Sequence, residues 1–329
     1  MKILTPFILL FSCIMFVSAS CSDKTQNPTS SSDEIPSTSA PATTSFNADS
    51  AYNYVAAQTK FGPRVPGSEA HALCAEYLAA KLREAGMEVS FQDVVKTDPN
   101  GVARKVKNII GKFRPDADIN VLLAAHYDSR PRADQDADSA NHDKPLDGAN
   151  DGASGVGVIL ELMRHRDELP ENVGIEVAFF DQEDNGDYDG DDALWCIGSQ
   201  VWADEVLKRS RRPMFGILLD MVGGRDAVFN PEYFSTAYAG PYVDMVWGEA
   251  GRLGYGNRFP YQSGGALNDD HVYVMHAGVP CIDIVECNNP DTGSFNPTWH
   301  TLNDNLDNID RNTLKVVGDV VLSTLKNLK

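Results

Sequence analysis

The sequence has 329 residues, 42% of them hydrophobic, and its 28 Lys and Arg against 47 Asp and Glu give a formal net charge of −19. That length suits one large globular domain or two small ones, and either is long enough to bury a sizeable core. The acidic excess argues against a nucleic-acid partner, because each bound phosphate needs a compensating Lys or Arg. It is better suited to metal ions and small cationic groups.

Residues 1–20 are predicted to be a secretion signal. The apolar run over residues 3–17 is shorter than the roughly 20 residues that a membrane-spanning helix needs, and the small residues 18–20 then precede Cys21. The segment resembles bacterial lipoprotein signals, which implies that Cys21 becomes the lipidated first residue; a plain signal peptide is the alternative. We therefore expect an exported, membrane-anchored lipoprotein at the periplasmic or outer-membrane face.

Residues 21–48 are predicted to comprise the lipidated Cys and a disordered tether. Ser, Thr, Pro and Ala dominate this stretch, and it has almost nothing apolar to bury, so it cannot offset the entropy of folding. The catalytic domain is therefore expected over residues 49–329. Its cysteines form no C-x-x-C pair, which argues against cysteine-ligated zinc, while a disulfide between Cys281 and Cys287 stays open.

Helical and strand patterns alternate through the remaining chain, which is typical of an α/β fold. Helices are predicted over residues 51–59 and 70–85, and the second ends at Gly86, a favourable C-cap. Continuous apolar runs indicate strands buried on both faces at residues 121–125, 175–180, 215–219 and 281–285. Apolar stripes predict further helices at residues 155–169 and 314–328. We predict a single domain with a mixed, mostly parallel central sheet flanked by helices.

Polar side chains follow the four predicted strands. In chain order these are His126 with Asp128, Glu183 with Asp184, Asp220, and Glu286. In open α/β sheets, ligands bind in the crevice beyond the carboxyl ends of the strands. The strands are therefore predicted to deliver acids and a histidine to one rim.

A wider set of titratable side chains is expected to converge there: His126, Asp128, Asp151, Glu183, Asp184, Asp220, Asp269, Asp270, His271 and His300. Clustered carboxylates raise one another's pKa unless a positive charge lies among them, and a bound cation supplies it. Nitrogen and oxygen donors without thiolate suit zinc. Each residue alone also has a structural interpretation; Asp151, for example, would cap the following helix. The acidic stretch 184–192 is interpreted as a solvated loop, with calcium binding as the alternative.

Five motifs carry a family resemblance: Ala-Ala-His-Tyr-Asp-Ser (124–129), Gly-Ala-Asn-Asp-Gly-Ala-Ser-Gly (148–155), Phe-Phe-Asp-Gln-Glu-Asp (179–184), Leu-Leu-Asp-Met-Val-Gly (218–223) and Trp-His-Thr (299–301). Together they resemble the zinc aminopeptidase superfamily, and within it the glutaminyl-peptide cyclotransferases, or glutaminyl cyclases. The resemblance runs from about Phe61 to the last predicted helix. It implies the aminopeptidase-like (phosphorylase/hydrolase-like) α/β fold.

The resemblance to the cyclases implies one zinc ion, held by Asp151, Asp184 and His300. It also implies an acid network of Glu183, Asp220 and Asp269. Trp299 and, less directly, Trp195 would supply apolar substrate-binding walls, because the site mostly needs to fold its substrate into an attack geometry. In the aminopeptidases the matching positions hold two zinc ions, and the second would use His126 and Asp220. Trp299, Asp269 and the Leu-Leu-Asp segment favour the cyclase, whereas the Glu183–Asp184 pair departs from its commoner Glu-Glu.

The expected function is conversion of N-terminal glutaminyl peptides to pyroglutamyl peptides with release of ammonia, an acyl transfer. Glu183 would carry the proton from the attacking amine to the leaving nitrogen, while Asp220 and Asp269 hold it in place. The expected partners are peptides or proteins with a free N-terminal Gln. A di-zinc aminopeptidase and a catalytically silent peptide-binding lipoprotein are the alternatives.

Overall fold

The central sheet follows from the apolar runs of the sequence. The computed structural model describes residues 46–188 and 190–329, and six strands of this part form one sheet in the order β1-β2-β4-β3-β5-β6. The strands are β1 (Glu88–Thr97), β2 (Ala103–Phe113), β3 (Ile119–His126), β4 (Val173–Phe180), β5 (Phe215–Leu219) and β6 (Cys281–Ile284). The proposed signal, the Cys21 anchor and most of the tether lie outside the described residues.

The sheet is mixed, as predicted. Strands β3 to β6 are parallel, and they are the four continuous apolar runs, which are almost entirely buried. The antiparallel strands β1 and β2 extend the β4 edge. Strand β1 is an edge strand and mostly exposed, so it needs no continuous apolar run, and no strand was predicted there.

Helices cover both faces of the sheet. They are α1 (Ala48–Thr59), α2 (Glu69–Glu84), α3 (Ala153–Met163), α4 (Ile197–Val206), α5 (Tyr233–Arg252), α6 (Asp270–His276) and α7 (Arg311–Lys326). Val121 and Leu123 point to the face under α1, α3 and α7, whereas Leu122 and Ala124 point to the face under α4 and α6. The fold class predicted from the sequence is therefore confirmed.

Several boundaries differ from the prediction. The helix expected over residues 155–169 ends at Met163, because the polar residues after it leave the core and form a short 3₁₀ turn at Arg166–Glu168. Phe46 and the start of α1 at Ala48 fall within the stretch predicted as tether, and Phe46 is buried against Gly318. The cysteines of the described residues, Cys281 and Cys287 among them, are free and buried. Within the same residues, no helix has both the length and the apolar character needed to cross a bilayer.

Candidate active site

The carboxyl ends of the parallel strands meet at one pocket. His126 is the last residue of β3, Glu183 and Asp184 follow β4, and Asp220 follows β5 directly. The pocket is lined by seven acidic or imidazole side chains, together with an apolar and aromatic set. The first are Asp151, Glu183, Asp184, Asp192, Asp220, Asp269 and His300, and the second includes Tyr188, Trp195, Met221, Leu267, Phe295 and Trp299.

Three of these side chains form a compact, buried donor group. Asp151, Asp184 and His300 each offer a ligand atom, and these atoms lie within 4.8 Å of one another. The Nε2 atom of His300 is 3.5 Å from Asp151 Oδ2 and 3.3 Å from Asp184 Oδ1. Asp184 Oδ2 is buried with no hydrogen-bond partner. Two carboxylates and an imidazole with an unsatisfied buried oxygen fit a zinc ion.

A second donor group shares Asp151 with the first. His126 Nε2 lies 3.0 Å from Asp151 Oδ1 and 3.3 Å from Asp220 Oδ1, and this trio also meets the geometric condition for a cation. His126 Nδ1 faces Asp128 at 3.4 Å. Burial lowers the pKa of His126, but the surrounding carboxylates outweigh it and raise that pKa well above its usual value. The carboxylates around His126 therefore favour a positive charge at this second donor group, whether on the imidazole or as a bound cation.

Hydrogen bonds from backbone N–H groups to the Asp128 carboxylate fix the segment that carries Glu183 and Asp184. Asp128 accepts hydrogen bonds from the N–H of Glu183 at 3.1 Å and of Asp184 at 3.3 Å. Gly152, with φ of 86°, is the N-cap of α3 and makes no side-chain capping bond. A Cβ at Gly152 would lie 2.8 Å from the His126 ring, so that glycine permits this close approach. Asp151 does not cap the helix, and its carboxylate points into the donor group instead.

Asp304 holds the segment that carries Asp151. Its buried carboxylate accepts hydrogen bonds from the N–H groups of Asn150 at 2.6 Å and Asp151 at 3.2 Å. Mutation of an outer residue that orients a metal ligand typically lowers metal affinity by about 10–100-fold. Asp304→Asn is therefore expected to weaken zinc binding to that extent. Competition with a chelator of known affinity measures the change. The exposed Asp307→Asn is the matched control, and wild-type zinc affinity in Asp304→Asn would contradict the assignment.

Unusual backbone angles cluster at the same site. Gln182, Cys196, Met221 and His300 are non-glycine residues with positive φ, between 49° and 55°. Each is, or directly adjoins in sequence, a residue that lines the pocket. Such conformations cost on the order of 1–3 kcal/mol each and persist where the surrounding structure enforces them. The strained residues therefore lie at the positions where the backbone directs side chains into the pocket.

Glu183 and Asp269 have altered acidity. Burial raises the pKa of Glu183 well above its usual value, and although His126 opposes this, the charges of Asp184 and Asp269 raise it further. Burial and the charge of Asp220 raise the pKa of Asp269 to about 6. A carboxyl group whose pKa is shifted toward neutrality is suited to accept and return a proton.

The imidazole of His300 is held so that one nitrogen faces the donor group. Its Nδ1 lies 2.6 Å from the hydroxyl oxygen of Tyr188 and 3.4 Å from Asp134, which leaves Nε2 toward Asp151 and Asp184. Burial lowers the pKa of His300, but Asp184, Asp134 and Asp151 together raise it to about 9. This pattern, with one nitrogen bound to outer partners, is that of a metal-binding histidine.

Aromatic rings form one wall of the pocket. The Trp299 ring stacks on His300 with centroids 4.0 Å apart, and Trp195 lies parallel to His300 at 6.5 Å. Tyr188 contacts both tryptophans, with centroid distances of 5.5 Å to Trp195 and 6.0 Å to Trp299. A Cβ at Gly186 would lie 2.1 Å from the Trp195 ring, so the ring occupies this position only above a glycine.

Five residues predicted for the rim do not line the pocket: His126, Asp128, Asp270, His271 and Glu286. His126 belongs to the second donor group, and Asp128 contacts it. Glu286 accepts hydrogen bonds from Asn289 and Asn296, each at 2.8 Å, and so braces the segment that leads to Trp299. Asp270 and His271 are fully buried behind Asp269, where His271 Nε2 is 3.1 Å from Glu232. Sequence position shows that a residue lies near a strand end but not which way its side chain points, and this is why Glu286, Asp270 and His271 were expected at the rim.

Conversely, several side chains that build the site were not predicted from the sequence: Tyr188, Asp134, Cys196 and Asp304. Their contacts join distant parts of the chain, and no local pattern encodes them. Tyr188 alone had a usable signal, because an aromatic residue in an otherwise acidic stretch is unexpected for a solvated loop. None of the candidate cation groups among the described residues includes Asp187, Asp191 or Asp192, and Asp187 pairs instead with Arg132.

Comparison with known proteins places the chain in a family. The model of peptidase family M28 matches residues 108–325. The crystal structure of Bacteroides thetaiotaomicron glutaminyl cyclase bound to N-acetylhistamine is 45% identical, with a TM-score of 0.82, and the match covers 86% of this chain and 99% of that chain.

Two further relatives bear different names. The glutaminyl-peptide cyclotransferase of Bos taurus is 25% identical over 293 residues, which are 78% of this chain and 76% of that protein. The crystal structure of a leucine aminopeptidase precursor from Bacteroides thetaiotaomicron is 44% identical, with a TM-score of 0.81, over 86% of this chain and 98% of that chain. The aminopeptidase name is the coarser description, because it refers to the wider superfamily within which the cyclases form a separate group.

Proposed function

The chain belongs to peptidase family M28, and from this premise we propose that it is a zinc-dependent acyltransferase that cyclises N-terminal glutamine. The products are a pyroglutamyl peptide and ammonia. The observation that carries the proposal is the pocket itself, where the donor group of Asp151, Asp184 and His300 lies beside Glu183 and the aromatic wall. The similarity to glutaminyl cyclases over nearly the whole catalytic body supports the same reaction.

A single zinc ion is proposed to lie among Asp151, Asp184 and His300. When bound there, zinc supplies a positive charge that stabilises negative charge developing on the glutamine γ-carbonyl oxygen. Arg130 donates a hydrogen bond to Asp184 Oδ1 at 2.9 Å, and Asp134 and Tyr188 hold the outer nitrogen of His300. These contacts keep the three ligands in a fixed arrangement before the substrate enters.

Glu183 is proposed to carry the proton. The α-amino nitrogen forms a bond to the γ-carbonyl carbon, the bond from that carbon to the amide nitrogen breaks, and ammonia leaves. Glu183 takes one proton from the attacking amine and returns one to the departing nitrogen, so that a single carboxylate serves both steps. Asp220 and Asp269 line the same pocket and are proposed to orient the amine. Nucleophile and electrophile belong to one substrate, so the site mainly needs to fold that substrate into an attack geometry.

The aromatic wall is proposed to hold the folded glutamine side chain. Trp299→Ala removes the ring stacked on His300 and is expected to raise KM about tenfold through lost apolar contact. Steady-state kinetics on a Gln-peptide measures the change. Trp299→Phe keeps an aromatic surface and is the matched control, for which a smaller rise is expected. An unchanged KM in Trp299→Ala would remove Trp299 from the substrate-binding wall.

A di-zinc aminopeptidase is the second candidate, because His126 and Asp220 form a further donor group with Asp151. The purified protein is incubated with a Gln-peptide and with Leu-anilide. We expect ammonia and pyroglutamyl peptide from the first and no leucine from the second. Leucine release without ammonia from the Gln-peptide would refute the cyclase and favour the aminopeptidase. No turnover of either substrate, with tight peptide binding, would favour the silent binding protein.

Export and membrane anchoring are also proposed. They rest on the apolar run over residues 3–17 and on the small residues before Cys21. Placed at the periplasmic or outer-membrane face, the enzyme would meet exported peptides and proteins with a free N-terminal Gln. Fractionation of cells that express the wild type and Cys21→Ala tests the anchor. We expect the wild type in the membrane fraction and release of the variant, whereas equal distribution of the two would overturn the lipid anchor.

A further inference from the structure

We propose that Cys196 is a positioning residue for the cyclisation, whose thiol donates a hydrogen bond to Glu183 Oε1 and so fixes the orientation of this carboxylate. The inference rests on the proposed function, because Cys196 acts through the proton-carrying residue. The Sγ atom lies 3.3 Å from Oε1, and the Cys196 side chain is fully buried.

The main chain of the same segment also holds Glu183. The Cys196 N–H donates a hydrogen bond to the carbonyl oxygen of Glu183 at 3.0 Å, and the Ile197 N–H donates one to Gln182 at 3.1 Å. Residue 196 therefore contacts residue 183 through both its backbone and its side chain. The backbone hydrogen bonds fix the main chain at Glu183, and the thiol fixes the position of its carboxylate.

The backbone conformation of Cys196 supports a role for its side chain. Its φ of 55° and ψ of 35° lie in the left-handed region, and as the N-cap of α4 it makes no side-chain capping bond. Glycine adopts this conformation without steric cost, and Ser, Asp or Asn would cap the helix. Cysteine is favoured neither by the left-handed backbone nor by the capping position. Its side chain is instead explained by the contact that it makes with Glu183.

The thiol is the hydrogen-bond donor to this carboxylate. Glu183 Oε2 faces His126 Nδ1 at 4.0 Å, while Oε1 faces the thiol. Across the part of the chain that the structure describes, no other side chain donates a hydrogen bond to the Glu183 carboxylate. Burial raises the pKa of Cys196, and neighbouring carboxylates raise it further, so that the sulfur keeps its proton. Because S–H is a weak donor, it orients the carboxylate while leaving it basic enough to accept a proton.

Four variants of the full chain, each loaded with zinc, test this inference. Cys196→Ala and Cys196→Gly both remove the donor, and the glycine also relieves the left-handed backbone, so that at least one is expected to fold. Cys196→Ser replaces the thiol with a hydroxyl donor. Cys74→Ala removes a buried thiol on the core-facing side of α2 and is the matched control. For each we measure kcat, KM, bound zinc and Tm.

Both donor-free variants are expected to lose about tenfold in kcat, with KM and zinc content unchanged, as for the loss of one hydrogen bond to a charged group. Cys196→Ser is expected to recover kcat to within about threefold of the wild type because its hydroxyl still donates. Cys74→Ala is expected to change Tm and leave kcat unchanged. If Cys196 only packed in the core, its loss would not lower kcat while leaving KM unchanged, and serine would not restore kcat.

Wild-type kcat in Cys196→Ala or Cys196→Gly would overturn the inference. It would equally be overturned if Cys196→Ser were as slow as Cys196→Ala, because the cavity and not the donor would then determine the rate. A wild-type enzyme that releases no ammonia overturns the proposed function itself, and the assignment of Cys196 with it. The two failures are therefore distinguished by the wild-type rate measured in the same experiment.

Discussion

Replacing Glu183 by glutamine is expected to reduce kcat for a Gln-peptide by at least about a hundredfold, because proton transfer to and from the substrate is lost. Glutamine has nearly the same shape as glutamate, so the fold and the three zinc ligands stay in place. Ammonia release gives the rate, and metal analysis gives the zinc bound per chain. The expected result combines an inactive enzyme with full zinc content.

Glu171→Gln is the matched control, because Glu171 is exposed and lies outside the pocket. Its kcat is expected to equal that of the wild type. If Glu183→Gln kept a normal rate, another group would have to carry the proton, and Asp269 would be the next to test. If it lost zinc together with activity, Glu183 would belong to the metal ligands.

Replacing His300 by alanine is expected to remove zinc and activity together. The change leaves only two carboxylates in the donor group, and zinc sites need at least three protein ligands. The loss of zinc affinity should exceed the about 10–100-fold expected for an outer residue such as Asp304. Equilibrium dialysis against buffered zinc measures the affinity.

Thermal unfolding gives a second readout of the same change. Zinc that binds the folded chain raises Tm, and this rise is expected in the wild type but not in His300→Ala. His276→Ala, at the exposed end of α6, is the control and should keep both the rise and the activity. A His300→Ala protein with full zinc occupancy would require a different third ligand.

The parts of the fold that the sequence predicts are those that burial dictates. A strand covered on both faces must be continuously apolar, so that β3 to β6 are visible as runs of Val, Ile, Leu, Ala and Phe. Strand β1 lies at an exposed edge and lacks that signal. The pattern of α5 is interrupted because Pro241 lies inside it and Ala239 has non-helical angles, and no helix was predicted there.

The site divides in a similar way. Residues at strand ends are predictable, because parallel strands bring their carboxyl ends to one edge, and His126, Glu183, Asp184 and Asp220 do meet there. The same rule wrongly included Glu286, whose side chain turns toward two asparagines. Cys196 and Asp304 act through contacts with distant residues, which depend on the packed chain and leave no local pattern. Sequence reasoning therefore locates the rim but not the residues that hold it in place.

The central claim is that one divalent ion lies among Asp151, Asp184 and His300. Anomalous scattering at the zinc absorption edge, recorded from crystals of the zinc-loaded protein, tests it most directly. We predict one zinc peak, bounded by those three side chains and by the wall that carries Trp299. A second peak between His126 and Asp220, or no peak among the three proposed ligands, would contradict the account.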